Sequence, residues 1–168
     1  MNIVLLEPEI PENTGNIGRT CVITGATLHL IYPLGFILSE KNIKSAGLDY
    51  WERLKVIKHD SYDDFLNYVS MNKGVIWFAT TKGHQKYTDV KYNDNDYIVF
   101  GKESKGIPED ILSKDEKHCV RIPMIKNERS LNLANSVAII LYEALRQNDF
   151  KGLTDKGELH NLKYESNR

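Results

Sequence analysis

Four short polar stretches hold the residues of this chain whose types and spacing can do chemistry. They are Pro11-Glu12-Asn13-Thr14-Gly15-Asn16-Ile17-Gly18-Arg19, Thr80-Thr81-Lys82-Gly83, Gly101-Lys102-Glu103-Ser104-Lys105-Gly106, and Ile122-Pro123-Met124 through Asn132. Each follows a compact apolar run, and in open parallel sheets ligands bind beyond the carboxyl ends of the strands. The fourth stretch ends in Ser130-Leu131-Asn132 directly before an apolar run. A hydroxyl- and amide-bearing elbow at such a place can offer backbone N–H groups and short side chains to a ligand.

Several common chemistries are excluded. Gly101-Lys102 is not followed by Ser or Thr, so it is no Walker A loop, and no GxGxxG follows a strand. Gly15-Asn16-Ile17-Gly18 has the spacing of a KH loop but follows a strand and loop rather than a helix. No GxSxG elbow is present. His29, His59, His84, His118 and His160 show no metal-ligand spacing, so no metal is expected. Cys21 and Cys119 fit neither a disulfide framework nor a CxxC pair.

The elements that position the four stretches read as follows. Strands are expected at Ile3–Leu6, Thr27–Tyr32, Leu54–Lys58, Val75–Thr80, Tyr97–Phe100 and Cys119–Ile122. Helices are expected over Gly15–Thr24, capped by Asn13 or Thr14 and closed by Gly25; over Ser39–Ala46; and over Ser61–Ser70, capped by Asp60 or Ser61, with Phe65, Leu66 and Val69 inward. A short helix starts at Pro108 and ends near Ser113. Thr81 to Asp96 reads as loop, and Leu48 to Arg53 as linker. Strands alternating with helices imply an α/β fold with a parallel sheet and flanking helices.

The helix after the elbow carries a stripe of Leu131, Ala134, Val137, Ala138, Leu141 and Leu145, and Leu133, Ile139, Ile140 and Tyr142 extend it to other flanks. A helix apolar on most sides is buried against more than one partner. It is either a central core helix with Ser130 as N-cap or a helix that also meets a second subunit. Residues 1–150 form one domain, followed by a polar tail, 151–168, with a short helix near Leu159. The 168 residues suffice for an unstapled core. A net charge of −1 gives no bulk attraction for a polyanion, so any nucleic-acid contact must come from a local patch or from pooling across subunits. No apolar run reaches membrane length and no leader is evident, so a cytoplasmic protein without membrane contact is expected.

Taken together, Asn13-x-Gly15-Asn16-x-Gly18-Arg19, then Phe100-Gly101-x-Glu103-x-x-Gly106-Ile107-Pro108, then Arg121-Ile122-Pro123-Met124 with Ser130-Leu131-Asn132-Leu133-Ala134 resemble the three ordered motifs of the SPOUT superfamily of RNA methyltransferases, in its ribose 2′-O branch. The PEIPENTGNIGR, AGLDYW and TTKG segments look like the TrmL (YibK) group, and the resemblance runs from Asn2 to about Gln147. It implies an α/β fold with a C-terminal trefoil knot, a homodimer with the last helix at the seam, and S-adenosyl-L-methionine as cofactor. The implied activity is 2′-O-methylation of wobble nucleotide 34, cytidine or uridine, in the anticodon loop of leucine tRNAs. Alternatives are a SPOUT methyltransferase of another tRNA or rRNA site, a non-catalytic dimeric RNA-binding protein, and a plain flavodoxin-like domain.

By position, the resemblance places the cofactor at Ala79, Gly101, Ile122, Met124, Ser130 and Leu131. It assigns catalysis to Arg19 with Ser130 and Asn132, supported by Asn13 and Glu103. Arg129 and Tyr142 are candidates for RNA or the partner subunit. Arginine is nearly always protonated, so orienting a phosphate or ribose is an easier role for Arg19 than accepting a proton. Gly101 and Gly106 either let a flat ligand approach the backbone or simply serve tight turns. Pooling Lys41, Lys44, Arg53, Lys55 and Lys58 across a dimer would create a basic surface for an anticodon stem, unless these residues only face solvent.

Overall fold

The apolar runs of this sequence assemble into a seven-stranded sheet in the computed structural model, which describes residues 1–38 and 50–163. The strands are β1 (Asn2–Leu6), β2 (Thr27–Ile31), β3 (Val56–His59), β4 (Ile76–Ala79), β5 (Gln85–Lys86), β6 (Tyr97–Phe100) and β7 (Cys119–Arg121). Their order is β3-β2-β1-β6-β4-β7-β5, and every pairing is parallel. The helices are α1 (Pro11–Thr24), α2 (Tyr62–Asn72), α3 (Glu109–Leu112) and α4 (Leu133–Gln147). The parallel α/β reading of the sequence is the fold observed.

Period-two alternation divides the core into two layers. Ile3 and Leu5 of β1 join Ile17 and Cys21 of α1 and Val137, Ile140 and Leu141 of α4 on one face. Val4 and Leu6 join Phe65 and Val69 of α2 and Leu112 of α3 on the other. Helices α1 and α4 pack against each other over the first face. The central strands β1, β2 and β6 are buried almost throughout because helices cover both sides.

Several boundaries differ from expectation for identifiable reasons. Helix α1 begins at Pro11, not Gly15, since a proline at the first helical position lacks only an N–H that would be unpaired anyway. Asn13 and Thr14 therefore lie inside the helix rather than capping it. Gly25 closes α1 in the left-handed region, φ 71°. Ser61 caps α2 by accepting from the Asp64 amide at 3.1 Å, but Leu66 faces solvent while Phe65 and Val69 are buried. Pro108 is the residue before α3 rather than in its first turn.

Strand β5 was not expected. Gln85 and Lys86 lack an apolar pattern, and their strand identity comes from pairing with Val120 and Arg121 at the sheet edge. Asn132, not Ser130, caps α4: its Oδ1 accepts from the amides of Ala134 at 2.9 Å and Asn135 at 3.4 Å. Trp51–Arg53 forms a 3-10 turn. Among the described residues of the tail there is no helix around Leu159. The expected helix over Ser39–Ala46, with Lys41 and Lys44, lies outside the described residues, as does most of the AGLDYW segment. No helix among the described residues is long and apolar enough to cross a membrane.

One buried polar pair has a consequence for stability. His29 of β2 and His59 of β3 stack with ring centroids 5.2 Å apart, His29 Nδ1 lies 2.9 Å from His59 Nε2, and His29 Nε2 meets Asn2 Oδ1 at 3.2 Å. Burial, then His59, then Lys55 push the His29 imidazole down to about 3, and burial lowers His59 too. A histidine lowered on folding binds fewer protons in the native state, so its stabilisation is complete above the unfolded value near 6.5 and is lost as pH falls below it. Unfolding free energies from urea titrations should drop between pH 7 and 5.5, with a slope approaching about 1.4 kcal/mol per pH unit for one such group. The drop should be smaller in His29→Gln; equal pH dependence in the two proteins would refute the assignment.

Candidate active site

The loops after β1, β4, β6 and β7 converge on a single cleft of about 380 Å³. This follows from the strand order: β1 and β6 are neighbours, and β4 and β7 continue the same side of the sheet. Of the residues singled out in the sequence, Ala79, Gly101, Ile122, Met124, Ser130, Leu131, Asn132, Asn13 and Glu103 all border it. Arg19, Arg129 and Tyr142 do not.

The cleft has apolar walls and polar corners. Ile122, Leu131 and Ile140 present aliphatic surface, while Thr80, Ser130 and Ser136 add hydroxyls. Its volume lies in the range of small-molecule sites. Sequence reasoning missed Ser136 and Ile140 as site residues, yet Asn132, Ser136 and Ile140 follow one another at intervals of four on α4. That spacing puts them on one helix face and was the available signal.

Loop 101–106 is built tightly on itself. The Gly106 amide donates to the Lys102 carbonyl at 2.8 Å. A Cβ on Gly101 would lie 2.1 Å from the Gly106 carbonyl carbon and 2.2 Å from the Ile107 nitrogen, while Gly106 needs its own freedom for φ +69°. Both glycines thus serve the turn.

The polar network at the cleft mouth is a relay. Asn132 Nδ2 donates to Asn13 Oδ1 at 2.9 Å, and Asn13 Nδ2 donates to Glu103 Oε1 at 3.0 Å. Glu103 also accepts from the backbone amides of Glu9 at 2.8 Å and Ile10 at 3.3 Å. These amides stand at the start of α1, whose N-cap Ile10 has no side-chain acceptor of its own. Glu103 therefore caps α1 from another loop, and charge-assisted bonds to helix N-terminal amides are favourable for a carboxylate. With three donors on its oxygens, Glu103 is a scaffold rather than a free base.

The relay also fixes how both amides point. Reversing Asn13 would set its oxygen against Glu103, and reversing Asn132 would turn an NH₂ toward the first amides of α4. Each amide group has two N–H bonds and uses one in the relay, leaving one donor apiece beside the cleft.

Arg19 lies further along α1, exposed, and among the described residues it makes no hydrogen bond or ion pair. Lys82 and Lys102 border the cleft but are paired, Lys82 with Glu109 at 2.7 Å and Lys102 with Glu7. Tyr142 is 42% exposed on α4, with Ile139 at 36%, and Ile23 on α1 is 60% exposed.

Comparison with known proteins accounts for this arrangement. The pattern of the SpoU rRNA Methylase family matches residues 1–142. The tRNA (cytidine(34)-2'-O)-methyltransferase of Escherichia coli (strain K12) is 45% identical over 153 residues, covering 90% of this chain and 96% of that protein. The enzyme of the same name from Saccharophagus degradans is 46% identical over 152 residues, covering 90% and 97%. A solved structure described as "Structural insights into the 2-OH methylation of C/U34 on tRNA" superimposes with a TM-score of 0.81 at 40% identity, covering 88% of this chain and 95% of that one. The SpoU methyltransferase AviRb of Streptomyces viridochromogenes, solved in complex with AdoMet, shares the fold, with a TM-score of 0.77 at 23% identity over 89% of this chain and 58% of its own. With the family pattern spanning nearly the whole sheet and every loop of the cleft, the chain belongs to the SpoU family of RNA methyltransferases.

Proposed function

We propose that this protein transfers a methyl group from S-adenosylmethionine to the 2′-hydroxyl of nucleotide 34 in tRNA, with leucine isoacceptors as substrates. The observation that carries the reading is the Asn132–Asn13–Glu103 relay at the mouth of a cleft of the right size, in a chain of this family. The names of the relatives support nucleotide 34. The leucine assignment rests on the sequence resemblance alone.

The family uses S-adenosylmethionine, and the cleft fits it: aliphatic walls suit a flat adenine, and backbone groups and hydroxyls suit its polar edges. Ala79, Gly101, Ile122, Met124, Ser130 and Leu131 would hold it. When bound, it would supply an electrophilic methyl on a sulfonium: the ribose 2′-oxygen would bond to that methyl as the methyl–sulfur bond breaks, leaving S-adenosylhomocysteine, and the hydroxyl proton would pass to water. Asn13 and Asn132 would use their remaining N–H donors to orient the acceptor ribose, and positioning of this kind can provide most of the acceleration in an in-line transfer. The N-termini of α1 and α4 stand beside the relay, and their positive ends would favour negative charge developing on the ribose oxygen.

Arg19 acts across a subunit boundary in this reading. It is too far along α1 to border its own cleft, and the exposed apolar side chains Ile23, Ile139 and Tyr142 on the paired helices suit a second copy of the chain. Packing that face in a homodimer would carry Arg19 toward the partner's cleft to orient phosphate or ribose. Arg129 and Tyr142 would then meet RNA or the partner subunit. We infer also that the chain is threaded as a trefoil knot. The insertion of β7 between β4 and β5 and the meeting of loops 101–106 and 122–132 in one cleft support this.

Purified protein incubated with labelled S-adenosylmethionine and bulk tRNA should label position 34 of leucine tRNAs; absence of label from all tRNA would refute the function. Arg19→Lys should lose turnover while keeping cofactor affinity, and near-normal methylation by this variant would remove Arg19 from the mechanism. Asn132→Asp keeps the acceptor that caps α4 but sets an oxygen against Asn13 Oδ1. Its melting temperature should stay near that of the parent while turnover falls by about 100-fold or more. Parallel loss of stability would instead make Asn132 a cap only.

A further inference from the structure

The loops after β1 and β6 are joined by a second set of contacts that the Asn132–Asn13–Glu103 relay does not include. The Glu9 carboxylate accepts from both the amide and the hydroxyl of Ser104, each at 2.8 Å. The Glu9 amide in turn donates to Glu103 at 2.8 Å, so two consecutive residues of one loop and a residue of the other hold each other reciprocally. Lys102 donates to Glu7, which sits at φ 49°, a region that residues other than glycine rarely adopt. Bonds from Ser104 hold the Glu9 carboxyl below its ordinary range, as befits an ionised acceptor.

Loop 101–106 does not need Glu9 for its shape. That shape is closed internally by the Gly106–Lys102 bond and by the packing of Gly101 against Gly106 and Ile107. Helix α1 likewise has its cap from Glu103. What Glu9 and Ser104 add is the placement of one preformed piece against the other. Asn13, two residues beyond the first position of α1, is the group whose place depends on it.

We propose that Glu9 and Ser104 form a positioning clamp, setting loop 101–106 in register with the first turn of α1 and so holding Asn13 where it works with Asn132 on the acceptor ribose. This inference rests on the methyltransferase reading of the cleft. A displacement of the order of 1 Å at a reacting centre can cost about 100-fold in rate, so a modest loss of register is enough to be measured.

The test compares Glu9→Gln, Ser104→Ala and Ser104→Thr with the parent full-length protein. Glu9→Gln replaces one of the two acceptors with a donor facing Ser104, Ser104→Ala removes the hydroxyl, and Ser104→Thr retains it. Turnover per folded molecule at saturating S-adenosylmethionine and tRNA should fall at least about tenfold in Glu9→Gln, with the cofactor dissociation constant changed less than about twofold. Ser104→Ala should fall in the same direction, and Ser104→Thr should recover most of the loss. Parent-like turnover in Glu9→Gln overturns the clamp, as does a cofactor affinity that falls in step with turnover, since that would mean the loop's shape had been lost. A parent protein that methylates no tRNA defeats the functional reading instead. Hydrogen exchange then judges the clamp: faster exchange at Ser104 and Ile10 in Glu9→Gln, with Gly106 unchanged, supports it, and unchanged exchange at Ser104 overturns it.

Discussion

A helix whose N-cap is an apolar residue has no side-chain acceptor of its own at its entry, and in this protein one carboxylate from a distant loop holds that entry in place. Ile10 offers α1 no side-chain cap, and Glu103, 93 residues further along the chain, accepts from its amide and from that of Glu9. Hydrogen bonds to a charged acceptor contribute about 1.5–3 kcal/mol each, and less where they are open to water, as the bond from Ile10 is. The cap therefore has an energetic reason apart from catalysis. It can form only because β1 and β6 are adjacent parallel strands, so that the loops leaving their ends run side by side.

From that contact the geometry of the cleft follows in steps. Glu103 orients Asn13, Asn13 orients Asn132, and Asn132 caps α4 with the oxygen it has left. Two helices that pack together over the same face of the sheet thus have their N-termini tied to one point at the cleft mouth. Fixed amide donors and helix ends aimed at one place are preorganised, which is why such groups act more strongly there than free in water. The same side chains hold the fold and face the ligand site, so stability and activity have to be separated by substitutions that keep one function of a residue and remove the other.

The outer side of the α1–α4 layer is the counterpart of this arrangement. Val137, Ile140, Leu141 and Ala144 of α4 are buried by the chain itself, while Ile139 and Tyr142 are left outside with Ile23 of α1. Arg19 lies on the same helix as Ile23 and away from the cleft. The proposal that Arg19 serves the site of a second chain looks to these exposed apolar groups as the surface that would receive it.

Much of this protein was legible in its residues. The six apolar runs became strands because helices cover both sheet faces, and Gly25 and Ser61 ended and began helices by their own backbone and side-chain chemistry. The order of the polar loops was enough to identify the family, and most of the residues carried over by position border one cleft. Tertiary structure alone decided that Gln85 and Lys86 make a strand, that Glu103 reaches the start of α1, that Asn13 and Asn132 meet, and that Arg19 stands off the cleft. Local propensity and periodicity describe a residue against its near neighbours along the chain. These features are hydrogen bonds and close approaches between segments far apart in sequence, and they exist only once the sheet has set its loops side by side.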